Sequence, residues 1–362
     1  MSERKRDWPL VVRRARPSDR DAVLGFATHT WNDWDYIPHA WPVWLEARDG
    51  VLLVAAGVDD RAVAISRIAM VSDTEAWLEG IRVDPAVRGM DVATDLQVAE
   101  LHWTAAQNAN VIRYATSARN EASHRLGARH GIELLVALRN YWWTEDPDSD
   151  PDSPSAFDAE VRASATALRE RVLAGLAADG RIAAPSDAAS LWARVDGDAT
   201  FNAAQRLYEP RPWAMGELSA ARFARHVARG EVVVFGDAGG QGTDWALGIL
   251  LREQLPGEDS TLRIALLCGE IGPAIEMLDR TRALAGTTVR FRLAEESPLS
   301  TTGHDALAAA GYHASEWTLH ILGRPIDADH PIPEVDPAAL ILADAPSPSL
   351  EAPWRNDYEE AT

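Results

Sequence analysis

The sequence predicts an α/β (α+β) protein of two tandem domains. Each is a mixed, mostly antiparallel twisted sheet flanked by helices, and the second is a worn copy of the first. Three observations carry this. Residues 77–134 read strand, tight loop, long helix, strand, short helix, glycine stop. The same order returns about 180 residues later: the segment from Arg129 to Ile132 is matched by that from Ala309 to Tyr312, and the apolar run at 51–56 by that at 232–235. Between the copies lies an acidic, Pro/Ser-rich stretch, Glu145 to Ala156, too polar to form a core.

The elements follow in order. Val11 to Ala15 reads as a strand, and Pro17-Ser18-Asp19 opens a helix through Ala27 with Ser18 as its cap. Residues 29–48 are aromatic and helical or looped. Runs at 51–56, 62–71 and 75–83 are strands, and the turns between them, with Gly57, Asp59-Asp60 and Ser72-Asp73, predict an antiparallel meander. From Val92 to Gln107, Val92, Leu96, Ala99, Trp103 and Ala106 share one helical face. A strand at 111–116, a helix at 121–130 and a closing strand at 134–143 complete the first copy. A helix over 157–178 follows the linker. The second copy runs through strands at 232–235, 245–252 and 262–268, a helix from Gly272-Pro273 to Ala285, a strand at 289–293, a helix at 304–310 and a closing strand at 316–322. The expected domains are 1–145 and 181–326, with a linker and connecting helix at 146–180 and an extended Pro/Asp-rich tail at 327–362.

Composition narrows the function. Hydrophobic residues make up 46% of the 362, enough for two packed cores. A formal net charge of −20 repels polyanions, so no nucleic-acid partner is expected. No apolar run reaches the roughly 18 residues of a membrane span. The first residues lack the apolar core of a secretory signal, so no membrane partner and a cytoplasmic address are expected. Cys268 is the only cysteine, which rules out an internal disulfide framework and a cysteine-rich metal site. No metal is expected.

The segment Arg88-Gly89-Met90-Asp91-Val92-Ala93 carries the chemistry. It joins a strand to a long helix, where free amides and the positive end of the helix dipole suit a phosphate. With the strand before it and the strand and helix after it, this order resembles the GNAT superfamily of N-acetyltransferases, over nearly all of 11–144 and weakly over 181–323. The tandem arrangement also resembles that of mycothiol synthases.

The resemblance implies transfer of acetyl from acetyl-CoA to a primary amine on a small molecule or peptide. The loop pattern of the family is Arg or Gln, two residues, Gly, one residue, then Gly or Ala. Arg88 and Ala93 fit, while Asp91 stands where glycine lets the backbone approach phosphate. As a good helix cap, the Asp91 carboxylate is a candidate to take the very amides that a phosphate would use. Backbone groups of Ile81, Arg82 and Val83 are implied to pair with pantetheine, and Asn120 to contact the cofactor. Glu79 takes the place of the general base, with pairing to an arginine as its structural alternative. Gly127 occupies the place of the tyrosine that protonates the leaving thiolate, and His124, one turn earlier, is a substitute. Trp31, Trp34 and Asp35 lie in the segment that covers the acceptor, where aromatic faces beside a carboxylate suit a cationic amine; a tryptophan cap on the core is the alternative. In the second copy, Gly269 to Ala274 has lost the arginine and gained Glu270, which favours a structural role. A non-catalytic CoA-binding or interaction protein is the runner-up, with Asp91 and Gly127 as its evidence, and a homodimer stays open.

Overall fold

The computed structural model describes residues 6–28, 35–143, 169–178, 180–236, 242–252, 262–285, 288–336 and 339–341. The chain forms two compact units. The first comprises 1–116, 120–134 and 322–362, and the second 117–119 and 135–321.

In the first unit the strands are β1 (Val11–Arg14), β2 (Gly50–Ala56), β3 (Ala62–Ser72), β4 (Glu75–Val83) and β5 (Val111–Ser117). β2 to β4 form the expected antiparallel meander, β1 pairs antiparallel with β2, and β5 joins β4 in parallel. The helices are α1 (Arg20–Ala27), α2 (Ile37–Glu46), α3 (Val92–Ala106) and α4 (Glu121–Arg129). Every residue of β2 is buried, because the sheet is covered on both faces. On one face Leu96, Ala99 and Trp103 of α3 meet Val51, Leu53, Ile68 and Leu78. On the other, Val23, Phe26, Trp41 and Trp44 of α1 and α2 meet Leu52, Val54 and Ile65. Ser18 does not cap α1. Asp19 accepts from the Arg16 amide at 2.7 Å instead and grips Arg13 with both carboxylate oxygens at 2.8 Å, which ties the helix start to β1.

The second unit contains β6 (Glu133–Trp143), β7 (Arg181–Ile182), the hairpin β8 (Leu207–Arg211) with β9 (Ala214–Glu217), β10 (Val232–Gly236), β11 (Trp245–Arg252), β12 (Leu262–Gly269), β13 (Val289–Ala294) and β14 (His313–Pro325). Its helices are α5 (Ala188–Gly197), α6 (Ala199–Ala203), α7 (Ala220–Ala228), α8 (Ile271–Ala285), α9 (Pro298–Thr301) and α10 (His304–Ala309). Its sheet runs β14-β6-β13-β12-β11-β10-β7. One face packs on α8 through Met277, Leu278 and Phe291. Glu209, wholly buried, is ion-paired to Arg292, and the Cζ of Arg292 lies 4.2 Å from the Trp213 ring centroid.

The units interleave in sequence where contiguous spans were expected. β6, read as the closing strand of the first copy, pairs antiparallel with β13, from Leu138 opposite Ala294 to Trp143 opposite Val289. The chain beyond Leu322 returns to the first unit. There Leu340 and Ile341, β15, pair in parallel with Val12 and Arg13, and Ile326, Ile332 and Leu340 pack on the core. The acidic stretch at 145–156 and most of the helix read at 157–178 lie outside the described residues.

Candidate functional site

The ladder between β4 and β5 ends at Leu78 opposite Tyr114, while β4 runs on to Val83 and β5 to Ser117. Residues 79–83, among them Ile81, Arg82 and Val83, therefore have no ladder partner in β5. A bulge marks the parting. The β3–β4 register shifts between Ile65 and Arg67, and Gly80 has φ +73°. A Cβ on Gly80 would lie 2.5 Å from the Trp44 ring, so position and conformation both demand glycine. Sequence reasoning passed over Gly80; an isolated glycine inside a strand pattern was the available signal.

Three arginines close around this opening. Arg82 donates to Asp35 at 2.6 and 3.2 Å and to the Ile81 carbonyl at 3.0 Å. Arg88, on the surface, donates through Nε to the Val83 carbonyl at 3.3 Å. Arg67, almost wholly buried, divides its donors between Glu79 and Asp49. Glu79 thus has the arginine partner named as its structural alternative. The Asp35 carboxylate, expected to face a cationic acceptor, is fully enclosed, and it also accepts from the amide of Ile37, the first residue of α2, at 3.0 Å. Tyr36 lies beneath Arg82, with its phenol pushed up to about 12 by burial. Trp41 and Trp44 are core residues. Trp31 and Trp34 lie outside the described residues.

Below the open edge, the loop of residues 84–91 leads into α3. Gly89 and Asp91 both have positive φ, +78° and +57°. Asp91 precedes the helix, yet its side chain makes no capping bond. The carboxylate turns instead to Arg129 of α4 at 3.0 Å. Among the described residues, the amides of Gly89, Met90, Asp91, Val92, Ala93 and Thr94 have no protein acceptor. These are six successive open donors at the start of a 15-residue helix, the positive end of its dipole. Arg6, which the sequence did not single out, donates to the Met90 carbonyl at 3.2 Å and pairs with Asp95 at 2.8 Å.

Asn120 caps α4 by accepting from the Ser123 amide at 3.3 Å and donates to Thr116 at 2.9 Å. Gly127 has a physical reason to lack a side chain: a Cβ there would lie 2.4 Å from the Tyr114 hydroxyl, which donates to the Ser123 carbonyl at 3.0 Å. The Tyr114 ring, entering from β5, fills the space beside α4. His124 is half-buried one turn away.

The second unit differs. β12 and β13 part after Ile264 and Phe291, but one residue, Glu270, separates β12 from α8, so there is no loop to line with open amides. A cleft of about 410 Å³ opens there beside Arg194, Asp198, Trp245 and Leu299. The Asp198 carboxylate is taken by the Phe201 and Gly269 amides, at 3.0 and 3.1 Å.

A split parallel pair of strands above a helix start lined with open amides defines a class: an α/β protein with free helix-start donors under an opened sheet. Residues 18–132 match the sequence profile of the Acetyltransferase (GNAT) family. The GCN5-related N-acetyltransferase from Sphaerobacter thermophilus shares the fold over 92% of this chain and 99% of its own, with TM-score 0.50 and 16% identity. A putative acetyltransferase from Thermoplasma acidophilum gives TM-score 0.49 at 14% identity, over 87% and 99% of the two chains. A tandem GNAT protein from the clavulanic acid biosynthesis pathway gives 0.47 at 12%, over 89% and 99%. No curated protein sequence matches the chain. Among the described residues no helix is long and apolar enough to cross a membrane.

Proposed function

We propose that this protein is an N-acetyltransferase that moves acetyl from acetyl-CoA to a primary amine. The carrying observation is the run of open amides at residues 89–94 directly below the unpaired edge of β4. The amides and Arg88 hold the pyrophosphate of acetyl-CoA, and the backbone of 81–83 lines its pantetheine arm. Glu79, one residue before the bulge, takes the proton of the attacking amine. Arg67 fixes its carboxylate, and Asp35 holds Arg82 in place rather than the acceptor. The acceptor enters beside the segment that contains Trp31 and Trp34. Gly127 supports a second reading, a CoA-binding protein without turnover, because no tyrosine stands on α4 to serve the leaving thiolate.

Calorimetric titration with acetyl-CoA tests these assignments. Ligand at about 100 times its dissociation constant should stabilise the fold by roughly 2.7 kcal/mol, and Arg88→Ala should shrink that gain. Absence of heat and of any melting shift at millimolar acetyl-CoA would remove the basis of both readings. Free-thiol release across a panel of amines separates them. Turnover that falls about 100-fold in Glu79→Gln, with acetyl-CoA binding retained, supports the base assignment; equal turnover at every pH removes it.

A further inference from the structure

Asp91 is not the only carboxylate at the start of α3. Asp95 stands in the first turn of the helix, and its carboxylate is 2.8 Å from Arg6. Two anions therefore lie beside the amides to which the function above assigns a diphosphate. Each meets a guanidinium from elsewhere in the chain: Asp91 that of Arg129, and Asp95 that of Arg6.

Arg6 precedes β1 and lies outside the segment that matches the family profile. Trp8 brings it to this place. The Trp8 side chain packs on the core that Leu96 and Ala99 of α3 also join. It lies so close over Gly57 that a Cβ there would come within 2.8 Å of the ring. The Arg6 guanidinium sits 5.3 Å from the centroid of that ring, and its Nε donates to the Trp8 carbonyl at 3.1 Å.

The other two nitrogens divide between two tasks. Nη2 pairs with Asp95. Nη1 donates to the Met90 carbonyl at 3.2 Å. That carbonyl and the Asp91 N–H belong to one peptide, and in a trans peptide the two point in opposite directions. A donor on the carbonyl therefore turns the Asp91 N–H to the far side, and this N–H is one of the six at 89–94 that have no protein acceptor. The planar fork of an arginine reaches both partners at once, which a single ammonium does not.

We infer that Arg6 is a positioning residue for the diphosphate of acetyl-CoA: it sets the Met90–Asp91 peptide so that the Asp91 amide faces the ligand, and it neutralises Asp95. The effect on binding rests on the function proposed above; the hold on the peptide does not.

The sequence contains a single Met-Asp pair, Met90–Asp91. Full-length protein made with carbonyl-13C methionine and 15N aspartate therefore reports that one peptide by NMR. In ligand-free protein its resonance should move in Arg6→Ala and stay near the wild-type position in Asp95→Asn, which keeps the Arg6–Met90 contact. An unmoved resonance in Arg6→Ala overturns the hold. By calorimetry, Arg6→Ala should weaken acetyl-CoA about tenfold at low salt. Adding Asp95→Asn to that variant should return the salt-dependent part, about fivefold, and Arg6→Lys should keep the same part and lose the remainder. With an active amine substrate, the KM for acetyl-CoA should rise in Arg6→Ala while kcat stays within about twofold. A variant that melts earlier than wild type yet binds acetyl-CoA equally well overturns the inference, since Arg6 would then tie the chain together without serving the ligand. A moved resonance in a protein that binds no acetyl-CoA leaves the hold on the peptide standing and rejects the proposed activity instead.

Discussion

The Asp91 carboxylate accepts from Arg129 at 3.0 Å, which joins the loop before α3 to the last turn of α4. An aspartate where the family places glycine threatened the proposed phosphate site in two ways, by occupying helix-start amides and by opposing a phosphate. The structure answers both: the side chain turns away from the amides, and a guanidinium meets its charge.

This pairing changes what Asp91→Gly should do. Loss of a helix cap would have lowered stability, but no cap exists here. Asp91 is held at φ +57°, where glycine is at ease, so the exchange relieves about 1 kcal/mol of backbone cost. It forfeits a half-exposed ion pair worth about 0–1 kcal/mol. Stability should hold or rise, and acetyl-CoA affinity should change by less than about twofold, since the carboxylate is already neutralised. Arg129→Ala should instead weaken acetyl-CoA about fivefold at low salt, the worth of about 1 kcal/mol between like charges in water. The double variant should recover that loss. Titrations of all four proteins at two salt concentrations measure the cycle, and wild-type affinity in Arg129→Ala at low salt would show that Asp91 never faces the phosphate.

Gly127 and Tyr114 form a second coupled pair. Gly127→Ala gains up to about 1 kcal/mol of helix propensity but drives a methyl to within 2.4 Å of the Tyr114 hydroxyl, an overpacking cost of about 1–3 kcal/mol. Tyr114→Phe removes that hydroxyl and its bond to the Ser123 carbonyl, for about 1 kcal/mol. Urea unfolding should therefore show Gly127→Ala to be destabilising alone and tolerated in the double variant. Strictly additive costs would mean that the ring does not hold the space.

These relationships also show where the sequence stops being legible. Strands, helices and the loop from 84 to 91 could be read from periodicity and turn residues, because those signals are local. The Asp35–Arg82, Arg67–Glu79 and Asp91–Arg129 pairs join residues 12 to 47 apart, and no spacing rule selects which carboxylate meets which guanidinium. The same limit hid β6: its alternation says strand, but β13 becomes its neighbour only in the folded sheet. Glu100 was obscured differently. An amphipathic reading of α3 assigns polar residues to solvent, yet Gln97, Glu100 and Thr104 are all buried. Ile326, Ile332 and Leu340 of the returning chain join the core that α3 helps to form, and the outward His102 meets the Pro333 carbonyl at 2.9 Å.

Glu100 makes one contribution to the pH dependence of the first unit's stability. Its carboxyl moves from an ordinary value of 4.5 to about 8 on folding, because burial penalises the charged form. Between those values the folded chain keeps a proton that the unfolded chain has released. Stability from this group therefore falls as pH rises through that window, by up to about 1.4 kcal/mol per pH unit, and levels off above it. Below pH 4.5 both states are protonated and the contribution is constant. Other carboxylates act in the opposite sense at lower pH: Asp60, held down by its hydrogen bond to Arg13, lends stability above its unfolded value and loses it as acid is added. Subtracting Glu100→Gln from wild type isolates the term, since the amide has no proton to lose. Urea unfolding from pH 5 to 8.5 should show the variant gaining on wild type steadily with pH. A difference that stays constant across that range would mean that Glu100 is already charged in the folded protein, with a cation or water at hand to offset it.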